Sequence, residues 1–254
     1  MAASVSARLM KMITVSLSER LAAEGFAPSV PPEGLTSAEP GKRYPRYRRE
    51  WFASPEDSDT QLRRVVEAYM LRGNGGSVGL EGRARLMAEP VARMRAELSA
   101  EALESNAKAR LLGCLESVQF GFFRHPSYPG QATVWISVEG DVDYGVNQII
   151  DMMRGSVVQW FEQRASLAQL VELARMPNLT NPDRSNPDPA RLRDVVILAL
   201  SQGQAQEAVS LMEWYLQRDL FHKFDSLERA TAFDAEMSVR FTEYARLRGG
   251  GSVS

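Results

Sequence analysis

Four carboxylates stand close together past the middle of the chain: Glu139, Asp141, Asp143 and Asp151. No lysine or arginine interrupts residues 139 to 151, so these charges are not offset locally. Residues 133 to 138 alternate like a β-strand, and a strand that continued would place residues 139, 141 and 143 on one face. Three carboxylates on one face favour a cation or a basic protein opposite them.

A metal site is the first alternative for this acidic segment. An Asp-x-Asp pair just past a strand end can hold a hard cation, but the EF-hand loop is absent because Gly145 stands where a ligand would be needed. We therefore expect no metal and no other cofactor, and we interpret the four carboxylates as a partner-binding surface. An uncharacterised enzyme that uses the carboxylates of residues 139 to 143 is kept as a second alternative.

A basic and aromatic stretch occupies residues 42 to 52. Its candidate nucleic-acid-binding residues are Lys42, Arg43, Tyr44, Arg46, Tyr47, Arg48 and Arg49. Cations can follow phosphates while aromatic rings stack on bases. An alternating edge strand with one solvated face gives the same pattern, and Glu50 together with a net charge of −2 argues against nucleic acid. A nucleic-acid-binding accessory protein is the alternative function.

Other catalytic signatures are missing from the sequence. It has no Ser-His-Asp order, paired-histidine motif or Cys/His cluster. The glycine-rich residues 73 to 82 lack the Gly-Lys-Ser/Thr of a phosphate loop and indicate a flexible surface loop. Cys114 stands in an apolar run that predicts burial, whereas His125 and His222 are expected at the surface. We therefore expect a protein without enzymatic activity.

The composition is that of a globular chain. Its 254 residues are 44% hydrophobic and 24% charged, enough for one large domain or two small ones. The single cysteine excludes an internal disulfide. No apolar run approaches the roughly 20 residues of a membrane span. Residues 1 to 21 favour an amphipathic first helix over a targeting peptide, so we expect a cytoplasmic protein.

Hydrophobic periodicity predicts the order of elements in the first part of the chain. The first helix carries an apolar stripe from Val5 to Leu21 and ends at Gly25. Strands are expected only within residues 40 to 145. The further predictions are helices at 54–71, 83–98 and 100–114, strands at 117–123 and 133–138 that form a hairpin or lie as near neighbours, and helices at 146–163 and 166–176.

The later part of the chain is predicted to be helical. Residues 177–189 form a linker with two Asn-Pro-Asp turns. Asp188-Pro189 then starts a helix, Gly203 separates it from a second helix at 205–218, and a capping box at 225–228 starts a last helix to Arg248. The prediction is an α+β fold, mostly helical, with a small antiparallel sheet. It comprises an α+β domain at 1–176, a helical part at 190–248 packed on it and a flexible tail at 249–254.

The order of these features resembles a bacterial family. An N-terminal helix ends in Glu24-Gly25-Phe26, a basic-aromatic segment and a strand pair follow, and Trp160-Phe161 precedes the helix start at Ser166-Leu167. Over residues 1–176 this order resembles domains of unknown function found beside polymorphic toxins, and immunity proteins of similar build. The resemblance implies a toxin–antitoxin role, in which the chain binds and neutralises a cognate protein toxin such as a nuclease or another basic effector domain.

Overall fold

A computed structural model of the chain describes residues 2–31, 35–38, 45–55, 61–109, 111–177 and 186–249. These residues form an α+β fold in which helices predominate and six strands make one small antiparallel sheet. The predicted fold class is therefore confirmed. In the described ranges, no helix combines the length and the apolar character that crossing a lipid bilayer requires.

The sheet has the strand order β1-β2-β3-β4-β5, and β6 pairs with β4. Its strands are β1 (Ala27–Ser29), β2 (Tyr47–Ala53), β3 (Arg63–Arg72), β4 (Val78–Met87), β5 (Cys114–Gln119) and β6 (Val134–Ile136). Because β6 pairs residues 134–136 with residues 78–80 of β4, it occupies only one end of that strand.

Nine helices complete the described part of the chain. They are α1 (Ala2–Ala23), α2 (Glu89–Glu97), α3 (Val142–Met152), α4 (Val158–Glu162), α5 (Leu167–Arg175), α6 (Pro189–Ser201), α7 (Ala205–Leu216), α8 (Leu227–Arg240) and α9 (Thr242–Gly249). A π-helical turn, Met153–Val157, joins α3 to α4, so the helix predicted at 146–163 is confirmed and begins one turn earlier.

The contacts divide the chain into two compact units. The first comprises residues 1–56, 63–86 and 117–162, and the second comprises residues 57–62, 87–116 and 163–254. This division differs from the boundary expected at 177–189, because residues 87–116 and 163–176 group with the C-terminal helices. Residues 178–185 of the expected linker lie outside the described ranges.

Helix α1 provides much of the core of the first unit. Leu9, Ile13, Leu17 and Leu21 are fully buried at the predicted helical spacing, whereas Val5 is exposed and does not belong to the stripe. The helix packs against α3 and against β1 and β2. It ends where Gly25 adopts a φ of +82°, a left-handed conformation that glycine accepts without a Cβ clash.

The two faces of the central sheet differ in chemistry. Glu50 faces α1, where its carboxylate accepts a hydrogen bond from the Thr14 hydroxyl at 3.3 Å. On the same face, Val66, Ala68 and Met70 of β3 are buried. The alternate residues form the other face, called here the polar sheet face: Tyr47, Arg49 and Trp51 of β2, Glu67 and Tyr69 of β3, and Glu81, Arg83 and Arg85 of β4.

Two segments that were expected to be helices are strands. Residues 63–72 form β3 instead of a helix at 54–71, and residues 78–87 form β4, so that α2 begins only at Glu89. The spacing of Val65, Val66, Tyr69 and Met70 fits one helix face, which misled the prediction. The strand buries Val66 and Met70 on one face and Glu67 on the other, because Glu67 finds basic partners across the sheet.

Further local predictions are also wrong. Residues 100–109 and 111–113 contain turns and a short 3-10 helix at 107–109 but no α-helix, and the strand expected at 117–123 ends at Gln119. Strands β5 and β6 do not form a hairpin, but both pair with β4, in agreement with the alternative that they are near neighbours. Strand β1 pairs with β2 outside the expected strand region. The glycine-rich residues 73–82 form a short 3-10 turn followed by the start of β4.

The helical second unit follows its predicted caps closely. Asp188 Oδ1 accepts hydrogen bonds from the backbone N–H groups of Ala190 and Arg191, at 3.0 and 3.4 Å, and starts α6 as predicted. The cap of α8 is Ser226, because the Asp225 carboxylate is buried in an ion pair with Arg193. The last helix breaks at residue 241 into α8 and α9, and residues 250–254 of the expected tail lie outside the description.

Candidate functional site

The four predicted acidic residues lie on α3 and on the turn before it. Strand β6 ends at Ile136, residues 139–141 form a 3-10 turn, and α3 begins at Val142. The expectation that residues 139, 141 and 143 share one face of a continued strand is therefore wrong. Successive side chains in a helix are about 100° apart, so these neighbouring carboxylates point in different directions.

Two of the four carboxylates are paired with α1. The oxygens of Glu139 accept hydrogen bonds from Arg8 at 2.9 Å, and Asp143 Oδ1 accepts one from Arg20 Nη2 at 2.7 Å. Both ion pairs reach solvent, so we expect each to add less than about 1 kcal/mol to stability. Their main consequence is that half of the predicted acidic charge is neutralised by cations that stand more than a hundred residues earlier in the sequence.

The other two carboxylates lie in the turn before α3 and near the end of α3. Asp141 and Asp151 are exposed, and neither forms an ion pair within the part of the chain that the structure describes. Asp151 follows Gln148 by three residues and Tyr144 by seven, which places the three side chains on one side of the helix. That side retains negative charge that a partner could meet.

A cavity of about 410 Å³ lies along β6 and α3 and is called here the edge groove. It is lined by Trp135 of β6, by Thr133 just before that strand, and by Tyr144 and Gln148 of α3. The loop before β6 contributes His125. Within the described residues β6 pairs only with β4, so its outer edge has no strand partner. A strand with a free edge presents backbone N–H and C=O groups to any chain that approaches.

A second cavity, of about 520 Å³, lies between α1 and α3 and is called here the helix groove. Its apolar lining comes from Met12 and Val15 of α1 and from Val142 of α3. Charged side chains of both signs surround this lining: Arg8, Lys11, Glu19, Glu139 and Asp143. The first half of α3 therefore has an open groove on each side.

Large apolar side chains are exposed in the edge groove and at the end of β6. Trp135 is 54% exposed, Val138 58% and Tyr144 70%, all within ten residues of sequence. Single exposed apolar residues are ordinary, but contiguous ones mark contact surfaces, and tryptophan and tyrosine are the residues that most often anchor protein interfaces. We call residues 133–148 the β6–α3 surface.

Sequence reasoning found the acidic members of this surface and missed its aromatic ones. Trp135 falls in a predicted strand, and nothing in its own neighbourhood distinguishes an outward-facing tryptophan from a buried one. A usable signal was the pair Gly73 and Gly79, over which the Trp135 ring lies. Without a side chain at either glycine, a large ring can rest on the sheet surface instead of inside the core.

The basic-aromatic stretch is largely engaged within the chain. Arg48 forms an ion pair with Glu50, and Arg49 Nε lies 3.3 Å from Glu67 Oε1. The Arg49 guanidinium also lies 5.4 and 5.5 Å from the ring centroids of Tyr47 and Tyr69, so it covers the faces on which bases would stack. Arg46 is exposed immediately before β2, and Lys42, Arg43 and Tyr44 lie outside the described residues.

The polar sheet face holds a compact cluster of charged groups. Glu67 Oε2 accepts hydrogen bonds from Arg85 Nη2 at 2.5 Å and Nε at 3.2 Å. Glu81 accepts one from the Thr133 hydroxyl at 2.5 Å. Burial raises the pKa of Tyr69 above its ordinary value of 10.0, so this phenol stays protonated at neutral pH. A cavity of about 170 Å³ opens on this cluster.

The second unit contains buried charges that satisfy one another. Arg193 donates two hydrogen bonds to the Asp225 carboxylate, at 2.8 and 2.9 Å, and the Tyr215 hydroxyl donates a third at 2.6 Å. Burial raises the pKa of Tyr215 as well. His222 is buried, contrary to the expectation of a surface residue, and its Nδ1 accepts from the Phe224 N–H. This saturated arrangement is that of a structural core.

Metal ligands do not converge in the described structure. Among its residues, no group of three or more histidine, cysteine, aspartate or glutamate side chains has an arrangement that could hold a metal ion. Cys114 is buried, as predicted. The chain matches no protein-family profile, and neither a curated protein nor a solved structure shows significant similarity to it.

Proposed function

We propose that this chain acts by binding another protein through the β6–α3 surface, without catalysing a reaction itself. The observation that carries the proposal is the exposure of Trp135, Val138 and Tyr144 in a segment that lines two open grooves. An interface needs a few large anchoring side chains and pockets beside them that accept the partner's anchors. The β6–α3 surface offers both within one short segment.

The resemblance to immunity proteins makes a bacterial toxin the partner that we propose. Asp141 in the turn before α3 and Asp151 on α3 support a partner with a basic contact surface, because both are exposed and without ion pairs in the described structure. Charge complementarity would mainly speed association, whereas Trp135 and Tyr144 would provide most of the affinity. Nucleic acid is less favoured as a partner, since Arg48 and Arg49 are already paired with glutamates.

Site-specific photo-crosslinking in the native cell would identify the partner. A photo-reactive phenylalanine derivative at position 144 should capture one protein, and the same derivative at position 239 should not. Val239 is the matched control because it is an apolar residue, 85% exposed, on α8 in the second unit. The captured protein would then be purified and its affinity for the unchanged chain and for variants measured by interferometry.

The affinity measurements decide the proposal. Trp135→Ala and Tyr144→Ala should each weaken binding of the purified partner by tenfold or more, equivalent to about 1.4 kcal/mol or above. Val239→Ala should bind like the unchanged chain. Equal affinities for the unchanged chain and its three variants, or equal capture from positions 144 and 239, would show that the β6–α3 surface does not bind the partner.

A further inference from the structure

Helix α1 carries a second stripe of residues that the core does not use. Its first stripe, which includes Leu9, Ile13 and Leu17, is fully buried. The second stripe is partly or fully open to solvent, and four of its six residues are apolar. Its steps alternate between three and four residues, which is the spacing of the contact seam in a coiled coil. This stripe, called here the α1 seam, comprises Val5, Arg8, Met12, Val15, Glu19 and Ala22.

The middle of the α1 seam lies along the helix groove. Met12 and Val15 line this groove together with Val142 of α3, and Val15 is 50% exposed. Val5 lies outside the groove lining and is 43% exposed. Apolar side chains at coiled-coil spacing are stabilised when a second helix covers them, because the contact removes apolar surface from water. The groove of about 520 Å³ gives the side chains of such a helix a place to pack.

The charges of the α1 seam identify the second helix as another copy of α1. Arg8 precedes Met12 by four residues, and Glu19 follows Val15 by four. An antiparallel pair of α1 helices centred between residues 12 and 15 would therefore place Arg8 of each copy opposite Glu19 of the other. The same twofold axis places Met12 opposite Val15 and joins the apolar ends of the two seams. A parallel pair would instead bring like charges together.

Both charged residues of the seam are available for such a contact. Glu19 is exposed and forms no ion pair within the part of the chain that the structure describes. Arg8 is bound to Glu139, but its side chain is 70% exposed. Because a guanidinium has five N–H donors, Arg8 can bind a second carboxylate while it keeps the first.

We propose that the chain forms a homodimer with twofold symmetry, in which the α1 helices of two copies pack antiparallel along their seams. Such an interface uses the same surface on both copies, as most soluble homodimers do. From Val5 to Ala22 the two helices would run side by side for about 26 Å, at 1.5 Å per residue. The dimer does not depend on the proposed toxin binding, since Trp135 and Tyr144 line the edge groove and not the helix groove.

Sedimentation equilibrium of the purified full chain measures this association. The average mass of the unchanged chain should rise toward twice the monomer mass as its concentration increases from about 1 to 200 µM. Arg8→Glu and Glu19→Arg each bring like charges together twice in the symmetric interface, so each should raise the dimer Kd about tenfold or more. Arg93→Glu makes the same charge change on α2, where the side chain is exposed, and should leave the dimer Kd unchanged.

The double variant separates a specific seam from general repulsion and from loss of the fold. Arg8→Glu combined with Glu19→Arg again places opposite charges across an antiparallel pair, so its dimer Kd should return to within about threefold of the original. Mixing the two single variants should likewise produce a mixed dimer. The proposal is overturned if the unchanged chain stays monomeric up to about 200 µM. It is also overturned if neither single variant weakens the dimer more than Arg93→Glu does, or if the double variant is as weak as the single ones.

Discussion

The ring of Trp135 lies across Gly79, its antiparallel partner on β4, so closely that a Cβ at position 79 would come within 3.2 Å of the ring. This contact keeps the indole on the surface of the sheet, where more than half of it reaches solvent. A side chain anchored on one face and open on the other is fixed before a partner arrives, so little conformational freedom is lost when the partner binds.

Gly79→Ala should therefore disturb both the sheet and the binding surface. The new methyl group would meet the Thr133 methyl at 2.9 Å as well as the indole, so one of them must move. We expect a loss of about 1–2 kcal/mol in the free energy of unfolding. Urea unfolding monitored by tryptophan fluorescence measures it, and an unchanged midpoint together with an unchanged emission spectrum would show that Trp135 is not held by this contact.

The acidic side chains should affect the association rate unequally. Asp141→Lys and Asp151→Lys reverse exposed charges without ion pairs in the described structure, so each should slow association with a basic partner several-fold at low salt. Asp143→Asn removes a charge that Arg20 already neutralises and should change the rate less. Stopped-flow mixing at two salt concentrations measures these rates, and a larger effect at residue 143 would contradict the assignment.

Nucleic acid should bind weakly at most. Arg48 and Arg49 are paired with Glu50 and Glu67, so they release few counterions when a phosphate approaches. Fluorescence anisotropy with a labelled oligonucleotide should show binding that disappears between about 50 and 200 mM salt. Micromolar affinity that persists at physiological salt and is abolished by Arg46→Glu with Arg48→Glu would favour the nucleic-acid function instead.

Stability should fall at alkaline pH because buried tyrosines must lose protons. Tyr215 and Tyr244 have pKa values raised above 10.0 by burial, so above pH 10.0 the unfolded chain loses these protons before the folded chain does. The stability that these two tyrosines contribute is fully present below pH 10.0. It is lost as the pH rises toward their pKa values in the folded chain.

Tyr215→Phe tests the alkaline prediction. It should reduce the loss of stability between pH 10 and 11 by up to about 1.4 kcal/mol per pH unit, the value for one proton. The control is Tyr128→Phe, at an exposed position, which should leave the pH dependence unchanged. Urea unfolding at several pH values gives the comparison. If the free energy of unfolding falls with pH at the same slope in Tyr215→Phe and in the unchanged chain, the alkaline prediction is wrong.

Helices with local signals could be predicted from the sequence, whereas strands whose partners are distant could not. The helix start at Ser166-Leu167 and the Asp188-Pro189 start of α6 depend on neighbours in sequence and are confirmed. Strands β3 and β4 depend on Glu67 and Arg85 meeting across the sheet, eighteen residues apart. A buried glutamate in an apolar segment looks like the solvated side of a helix until its partner is known.

The residues of the candidate site could likewise be predicted only in part from the sequence. Glu139 and Asp143 were found from their charge, but Arg8 and Arg20, which neutralise them, stand 131 and 123 residues away in sequence. Exposure of Trp135 and Tyr144 is a property of the folded surface, since residue type alone favours burial for both. Charge patterns therefore indicated the segment that contains the candidate site, while the exposed aromatic residues in it could be identified only from the structure.

Hydrogen exchange of the chain with and without its captured partner tests the central claim most directly. Backbone amides that become buried or hydrogen-bonded in a complex exchange more slowly, and the method reports every segment at once. If the β6–α3 surface binds the partner, slower exchange will be concentrated in residues 133–148, with residues 227–240 of α8 unchanged. A complex that leaves residues 133–148 unaffected and protects another segment would contradict it.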